Sequence, residues 1–302
     1  MLQIIFHVAT LVIVPPIFLG IINKVKAIAA GRRGPPIFQL YYDLAKLFRK
    51  GMVLSETTTW IFVAGPIIAF ISTVIAGMVV PLGARTAPIQ FAGDFILFAY
   101  LFGLGRYFTT TAALDTGSAF EGMGAAREVT FATLAEPILF CCFIALTKLS
   151  SSLSLSQMII GSSASILPAA SAAVLLIAVA MCVVMLVENS RVPFDDPNTH
   201  LELTMIHEVM VLDHSGPLFG LILYGASIKL FIMNSLIAGL LLPSIDGGGP
   251  LDWSLLLVGV LILSMGIGII ESSMARLKLP AVPKLLVGAA ILSGFAVVLV
   301  FR

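Results

Sequence analysis

Residues 217–242 read PLFGLILYGASIKLFIMNSLIAGLLL, a run of 26 residues that carries a single charge, Lys229. About 20 consecutive apolar residues suffice for a helix to cross the hydrocarbon core of a bilayer. Seven similar runs lie at about 2–23, 60–82, 93–114, 128–149, 166–188, 253–273 and 282–301. The runs are continuous rather than alternating, which argues against a transmembrane barrel. The sequence therefore predicts an all-α, polytopic membrane bundle of about eight transmembrane helices, forming one integral membrane domain over residues 1–302.

The composition agrees with this class. Hydrophobic residues make up 59% of the chain and charged residues only 11%, whereas a soluble domain carries roughly 25% charged residues. Ordinary soluble enzymes and disordered proteins are thereby excluded, and a net charge of +1 gives no field that would attract a nucleic acid. Cys141, Cys142 and Cys182 lie inside apolar runs without a C-x-x-C spacing, so we expect this chain to bind no metal and no cofactor.

The basic residues predict the orientation. The odd-numbered loops and their margins hold Lys24, Lys26, Arg32, Arg33, Lys46, Arg49, Lys50, Arg127, Arg191, Arg276 and Lys278. The opposite side holds only Arg85, with Lys148 at a helix end and Arg302 at the terminus. By the positive-inside rule the odd-numbered loops are cytoplasmic and both termini face outward, in a multi-pass protein of a prokaryotic plasma membrane. The even-numbered loops, such as 150–167, are expected to be plain connectors.

The first cytoplasmic loop is expected to contain an amphipathic helix. After the helix-breaking segment 31–36, the apolar positions 37, 38, 40, 41, 44, 47 and 48 fall on one face of a helix. Two interpretations stay open. The helix either anchors the loop at the lipid interface, or it lies beneath a peripheral subunit.

Five ionisable residues fall inside the predicted spans or at their inner margins: Arg106, Glu136, Glu188, Lys229 and Glu271. Each would cost roughly 2.5–3.5 kcal/mol at the bilayer centre, so they are expected to face one another, water or the bundle interior. Static pairs, such as Glu136 with Arg106 or Glu271 with Lys229, are one interpretation. A proton or cation path is the other, because a carboxyl group removed from water can bind and release a proton near neutral pH.

The loop between spans five and six is unusually acidic. Its acids are Glu188, Asp195, Asp196, Glu202, Glu208 and Asp213, against one base, Arg191. Three histidines, His200, His207 and His214, follow at intervals of seven, so a helical loop would place them on one face. That spacing is about two turns, too far for one metal ion without ligands from another element. A proton relay or a partner contact is therefore favoured over a metal site.

Several of these segments together resemble a known family. Arg33-Gly34-Pro35, Gln39 and 43–47 resemble the first cytoplasmic loop of subunit 1, or H, of respiratory complex I, and residues 188–195 are similar to its fifth-loop signature. Residues 114–118, 124–128 and 271–277 look closest to the formate hydrogenlyase branch of the group 4 membrane-bound [NiFe] hydrogenases.

The resemblance implies a non-catalytic anchor subunit. Its expected partners are hydrogenase-like large and small subunits and a ferredoxin-like subunit on the cytoplasmic side, which carry the [NiFe] and iron–sulfur centres, and antiporter-like subunits in the membrane. Carried over by position, Glu136, Glu188, Asp195, Glu202 and Glu208 would form the proton path, joined by the intramembrane Arg106, Lys229 and Glu271. Partner-interface residues would be Arg33, Gln39, Asp43, Lys46, Arg127 and Arg191, and the loop relay would use His200, His207, Asp213 and His214.

One departure bears on the function. Where complex I has glutamates that shape its quinone cavity, this chain has Asn198 and His200. The substitution favours a proton-coupling subunit of a hydrogenase or formate hydrogenlyase-like complex. The alternatives are the quinone-site subunit of a complex I-type NADH dehydrogenase, a free-standing proton or cation transporter, and a purely structural anchor.

Overall fold

The computed structural model describes residues 2–83, 85–163, 168–195, 205–245 and 247–302, and these residues form helices and loops with no strand. The helices are α1 (Leu2–Ile13), α2 (Pro15–Ala29), α3 (Gln39–Arg49), α4 (Trp60–Val79), α5 (Asp94–Asp115), α6 (Ala119–Ser150), α7 (Leu155–Ser163), α8 (Pro168–Glu188), α9 (His207–Met210), α10 (Gly216–Leu241), α11 (Pro250–Ser273) and α12 (Val282–Phe301), with one 3-10 turn at Leu279–Ala281. The predicted all-α membrane bundle is confirmed.

Seven segments among the described residues are long and apolar enough to cross a membrane: α1 with α2, then α4, α6, α8, α10, α11, and α12 with the turn before it. The eighth predicted span is α5, whose mean hydropathy is lowered by Arg106 and three threonines. It nevertheless packs antiparallel along α4 through small residues. A Cβ at Gly65 would lie 2.7 Å from the Cβ of Ala112, and one at Gly105 would lie 3.4 Å from the Cα of Ala69.

The loops sort to two ends of the bundle. Asp115 at the end of α5 accepts a bond from the backbone N–H of Thr59 (2.6 Å), and the backbone N–H of Leu277 donates to the carbonyl of Pro193 (2.9 Å). The Val53 N–H donates to the Ser215 hydroxyl (3.1 Å) and so joins loop 1 to loop 5. These bonds bring loop 1 (30–59), loop 3 (116–118), the described residues of loop 5 (189–195 and 205–215) and loop 7 (274–281) to one end, called here the loop 5 end. Asp94, at the start of α5, instead accepts from the N–H of Leu155 at the opposite end (2.6 Å). Helix α5 therefore runs the full distance between the ends.

One connector was predicted wrongly. The 150–167 segment contains α7, whose Leu155 and Met158 are fully buried against the bundle. Its start is held by the buried carboxylate of Asp94, which also accepts from the Ser154 hydroxyl (3.0 Å). The serine-rich composition did not predict a helix, because its buried apolar residues are few. Its first N–H group, that of Leu155, bonds to the side chain of Asp94, which is distant in the sequence.

The first span bends at Pro15 and Pro16, which lack the N–H groups that would bond to carbonyls one turn earlier. The Tyr224 hydroxyl donates to the free carbonyl of Val12 (2.6 Å), and the Tyr41 hydroxyl donates to that of Ile13. Tyr41 lies on α3, the predicted amphipathic helix, so this bond ties loop 1 to the kink.

Helix α3 buries Leu40 and Leu44 and leaves Phe38, Tyr42 and Phe48 exposed. Its start lies against α2, where a Cβ on Gly20 would be only 2.0 Å from the carbonyl oxygen of Ile37. The apolar face predicted from the sequence is thus only partly buried: Leu40 and Leu44 pack on the bundle, whereas Phe38 and Phe48 remain exposed.

Candidate functional site

A network of charged side chains lies between α5, α6, α8 and α10. The Arg106 guanidinium bonds to Glu136 and to Glu188, and its Nε lies 3.6 Å from Glu128. Glu188 also pairs with Lys229, with Nζ and Oε2 separated by 2.8 Å. We call Arg106, Glu128, Glu136, Glu188 and Lys229 the central charge cluster. It joins four of the five intramembrane charges predicted from the sequence.

Arg106 and Lys229 of the cluster lie far from the ends of their helices. Arg106 is about 18 Å from the start of α5 and about 14 Å from its end at 1.5 Å per residue. Lys229 is about 20 Å from the start of α10. Glu188 is the last residue of α8, so loop 5 begins at this depth. Its first residues are buried accordingly: Arg191, Phe194 and Asp195 are less than 9% exposed.

The charges of the cluster do not balance. Three carboxylates meet two cations, so full ionisation leaves one uncompensated negative charge in a poorly hydrated place. Such a charge is costly in low dielectric, and the cluster would become neutral by holding one proton or one other monovalent cation. Glu136 is the least constrained carboxylate, because its side chain is 46% exposed, against 7% for Glu188.

A cavity of about 110 Å³ opens beside the cluster. Its walls come from α4, α5, α6, α10, the end of α8 and loop 5, and include Thr73, Phe102, Glu128, His207 and Lys229. The volume is enough for several water molecules, and the polar side chains in a mostly apolar lining supply the hydrogen-bond partners that such waters require. The cavity thus places loop 5 and the mid-membrane charges around one space.

Helix α6 carries acids at regular intervals from the loop 5 end to the cluster. Glu121, Glu128 and Glu136 are seven and eight residues apart, which is about two turns in each case. Glu121 is 1% exposed and accepts a bond from the backbone N–H of Asp213 in loop 5 (3.2 Å). Glu121 and Glu128 were not among the predicted site residues: Glu121 lies outside the predicted span 128–149, which began later than α6 does, and Glu128 is the first residue of that span. The two-turn spacing of these acids before Glu136 is the sequence signal that could have identified them.

A second group of charges holds loops 5 and 7 together. The Glu271 side chain is fully buried and pairs with Lys26 (2.8 Å) and Arg191 (3.3 Å). Arg276 pairs with Asp195 at 2.8 Å. The suggested pairing of Glu271 with Lys229 is wrong, because Glu271 lies at the loop 5 end of α11, whereas Lys229 lies mid-way along α10.

Asp195 organises the return of loop 5. Its carboxylate accepts from the backbone N–H groups of Ile206 (3.1 Å) and His207 (3.0 Å), at the start of α9. The nearby Arg127 donates to the carbonyl of Met205 (2.9 Å). Since α9 spans only four residues, loop 5 is no continuous helix between His207 and His214, and these two histidines do not share a helical face.

His214 is buried against α4. Its ring stacks on Phe62 with centroids 4.0 Å apart, and its Nε2 lies 3.3 Å from the Phe62 carbonyl oxygen. Burial lowers the pKa of His214 below its ordinary value, although that bond and the charge of Asp213 act in the opposite sense. Asp213 is exposed and Glu208 is half-buried. The predicted site residues His200 and Glu202 lie outside the described residues.

The predicted interface residues occupy different environments. Arg33 and Lys46 are exposed, and Gln39 donates to Asp43 one turn further along α3 (2.9 Å). Arg191 is buried in the pair with Glu271, so it joins two loops of this chain. Across the part of the chain that the structure describes, no group of three or more His, Cys, Asp or Glu side chains is arranged to hold a metal ion.

Comparison with known proteins identifies the family. The sequence matches the NADH dehydrogenase family over residues 2–302. It is 31% identical to hydrogenase-4 component C of Escherichia coli over 77% of this chain and 72% of that protein, and 29% identical to formate hydrogenlyase subunit 4 of the same organism over 90% and 89%. NADH-ubiquinone oxidoreductase chain 1 of Chondrus crispus is 26% identical over 71% and 66%.

The fold also recurs in a solved complex. A chain of the membrane-bound sulfane sulfur reductase, an archaeal respiratory membrane complex, superposes with a TM-score of 0.83 over 99% of this chain and 98% of its own length, at 23% identity. From the sequence match over residues 2–302 and the curated relatives, the chain belongs to the NADH dehydrogenase subunit 1 family and is a membrane subunit of a complex I-like or hydrogenase-type respiratory complex.

Proposed function

We propose that this chain is the proton-coupling anchor of a hydrogenase or formate hydrogenlyase-like complex. The loop 5 end faces the cytoplasm and both termini face outward. A peripheral arm of hydrogenase-like large and small subunits and a ferredoxin-like subunit docks on that end and carries the [NiFe] and iron–sulfur centres. Antiporter-like subunits adjoin the chain in the membrane. Similarity to hydrogenase-4 component C and formate hydrogenlyase subunit 4 supports a hydrogenase-type arm.

The observation that carries the proposal is the uncompensated carboxylate of the central charge cluster. A cluster of three carboxylates and two cations is neutral with one proton bound and negative without it. A proton that binds and leaves would change the cluster between neutral and negative, and such a change of state is what a relay requires.

The route to the cluster follows α6 and the cavity. Protons enter at loop 5, where Glu121 accepts a bond from the backbone N–H of Asp213. They then pass through the cavity lined by Glu128 and His207. The two-turn separations along α6 are about 10–12 Å, too long for direct transfer, so waters in the cavity complete the path.

Loop 5 supplies the coupling to the redox arm. It follows Glu188, which belongs to the cluster, and His207 lies beside the cavity. Asp195 joins the two described parts of the loop through its bond from the His207 N–H, and it pairs with Arg276 of loop 7. A charge change in a partner that contacts loop 5 would displace the start of the loop, and the contacts of Glu188, which directly precedes it, would change. The proton affinity of the cluster would change in consequence.

Proton uptake during redox turnover, measured with the whole complex in proteoliposomes, tests the proposal. Glu136→Gln removes the uncompensated charge and leaves Arg106 paired with two carboxylates. The double variant Glu188→Gln/Lys229→Met keeps the charge balance but removes the carboxylate that joins the cluster to loop 5, together with its cation. We expect both to assemble and both to lose coupled proton transfer. Glu56→Gln, at an exposed loop 1 carboxylate, is the matched control and should retain it.

Normal coupling in both variants would refute the relay. Loss of assembly with normal coupling in the complex that still forms would instead identify a purely structural anchor. The purified chain alone in liposomes is expected to carry no proton or cation flux, and appreciable flux would favour a free-standing transporter.

A further inference from the structure

A second cavity lies at the end of the bundle opposite the loop 5 end. Its volume is about 210 Å³, and its walls come from the first turns of α1, the segment that follows α4, and Trp253 near the start of α11. It is larger than the cavity beside the central charge cluster, and no residue of that cluster lines it. The proton path therefore does not account for this cavity.

Contacts between distant parts of the chain fix the walls of the cavity. A Cβ on Gly83 would lie 2.6 Å from the Cα of Trp253, so the segment after α4 packs directly on the start of α11. The backbone N–H of Ala87 donates to the Ser156 hydroxyl of α7 (3.0 Å). The rings of Phe6 and Trp253, with centroids 5.0 Å apart, join α1 to α11. The cavity is thus built into the fold.

The lining of the cavity carries hydrogen-bond donors that the chain leaves unused. Arg85 donates through its Nε to the carbonyl of Gly248, and its guanidinium carbon lies 5.6 Å from the centroid of the Phe6 ring. The two terminal nitrogens of this guanidinium bond to no described residue. The indole N–H of Trp253 is buried and likewise finds no acceptor among the described residues. Both groups can only donate, so a matching occupant supplies acceptors.

The charge of the lining is positive. Arg85 lines the cavity, whereas no aspartate or glutamate among the described residues does. Asp252 directly precedes Trp253, but its carboxylate accepts from the backbone N–H groups of Ile245 (2.6 Å) and Gly248 (2.7 Å) in the adjoining loop. An anion therefore suits this cavity, and a guanidinium is the side chain that best matches a phosphate or a carboxylate.

The cavity adjoins an apolar surface. Ile4 lines it and is 49% exposed, and the next residue, Ile5, is 60% exposed. On α11, Leu251, Val258 and Ile262 are exposed along one face. Tryptophan is typical of the depth at which lipid headgroups lie. A positively charged cavity at that depth, beside exposed apolar side chains, suits a phosphate that carries acyl chains.

We propose that this cavity binds the headgroup of an anionic phospholipid, whose acyl chains lie along the exposed sides of α1 and α11. Arg85 pairs with the phosphate, and Gln3 and Thr86, which also line the cavity, can bond to the hydroxyl groups of a glycerol headgroup. An ethanolamine headgroup fits less well, because its ammonium group would lie near Arg85 with no carboxylate from the described lining to pair with it. The site is separate from the proton path of the proposed function.

Native mass spectrometry of the purified, delipidated full chain tests the ligand. The protein is mixed with equal amounts of phosphatidylglycerol and phosphatidylethanolamine that have the same acyl chains. We expect one phosphatidylglycerol to bind in preference, and Arg85→Gln to weaken its binding about tenfold, because hydrogen bonds to a charged group are lost. Arg302→Gln, at an exposed base at the same end of the bundle, is the matched control and should bind the lipid normally. Equal binding by Arg85→Gln and the parent, or equal binding of the two lipids, would overturn the proposal.

A second variant covers the case in which Arg85→Gln does not fold. Thr86 is exposed and lines the cavity, so Thr86→Glu adds a negative charge there without burying it. This variant should also bind phosphatidylglycerol more weakly, and unchanged binding would contradict an anionic ligand.

Inorganic phosphate distinguishes a lipid from a soluble anion of the same chemistry. Millimolar phosphate should leave phosphatidylglycerol bound, because the acyl chains add buried apolar area that free phosphate lacks. Displacement of the lipid by phosphate would identify a soluble-anion site and overturn the assignment of a phospholipid.

Discussion

The buried carboxylate of Glu271 should be among the most costly to remove. It lies 3.3 Å from Arg191 and 2.8 Å from Lys26, and its side chain is fully buried. At an effective dielectric constant near 20, the attraction to Arg191 alone is about 5 kcal/mol before the cost of desolvation is subtracted. Glu271→Gln leaves the Arg191 guanidinium, 8% exposed, without a carboxylate, and such a change costs about 3–5 kcal/mol. Lys26 is 23% exposed and can turn to water.

A double-mutant cycle separates this cost from general disruption. Arg191→Met alone leaves Glu271 paired with Lys26 and should cost less than Glu271→Gln. In the double variant no arginine remains unpaired, so the measured coupling between the two positions should reach about 2 kcal/mol.

The assay is reversible unfolding of the purified protein in mixed detergent micelles, followed by far-UV circular dichroism. Lys278→Met, at an exposed lysine of loop 7, is the control and should stay within about 0.5 kcal/mol of the parent. Additive costs in the double variant, or a loss below about 1 kcal/mol for Glu271→Gln, would refute the claim that these charges hold loops 5 and 7 together.

Three further predictions follow from the packing and the loops. Gly20→Ala would place a Cβ 2.0 Å from the carbonyl oxygen of Ile37, so loop 1 should detach from α2, detectable as faster proteolysis of loop 1; unchanged cleavage would contradict the close contact. Tyr224→Phe removes the donor to the Val12 carbonyl at the proline kink and should cost about 1–3 kcal/mol in the same unfolding assay, whereas a neutral result would mean that water replaces the hydroxyl. Burial lowers the pKa of His214, so as the pH falls the unfolded chain binds a proton at this residue near pH 6.5, before the folded chain does. The free energy of unfolding should therefore decrease as the pH falls from about 6.5 to the lowered pKa. His214→Gln should lack that part of the pH dependence.

Sequence reasoning found the elements and the charges but not all of their pairings. The pair of Arg106 and Glu136 was one of the two interpretations offered, since both are charges inside apolar runs and need a polar partner. The suggested pairing gave Lys229 the wrong carboxylate because Glu188 and Glu271 both lie at or near the C-terminal end of a helix, and nothing in the one-dimensional pattern says which of them reaches α10.

The acidic strip of loop 5 shows the same limit. Read along the chain, Asp195 has one nearby base, Arg191. In the fold it pairs with Arg276 from loop 7 instead and caps the start of α9. An ion pair needs two atoms within about 4 Å, whatever their separation along the chain.

The sequence by itself determined that this is a helical membrane protein, where most of its helices lie and which family it belongs to. The helices follow from local physics, because a bilayer requires each crossing segment to satisfy its own backbone hydrogen bonds and to present an apolar surface. The family follows from the motifs in the loops. Only the tertiary structure decided that residues 190–195 of loop 5 are buried, that Glu128 joins Arg106, and that Glu136 is partly exposed. Those facts depend on which helices are neighbours, and helix neighbours are chosen by small-residue contacts such as Gly65 with Ala112, summed over the whole bundle.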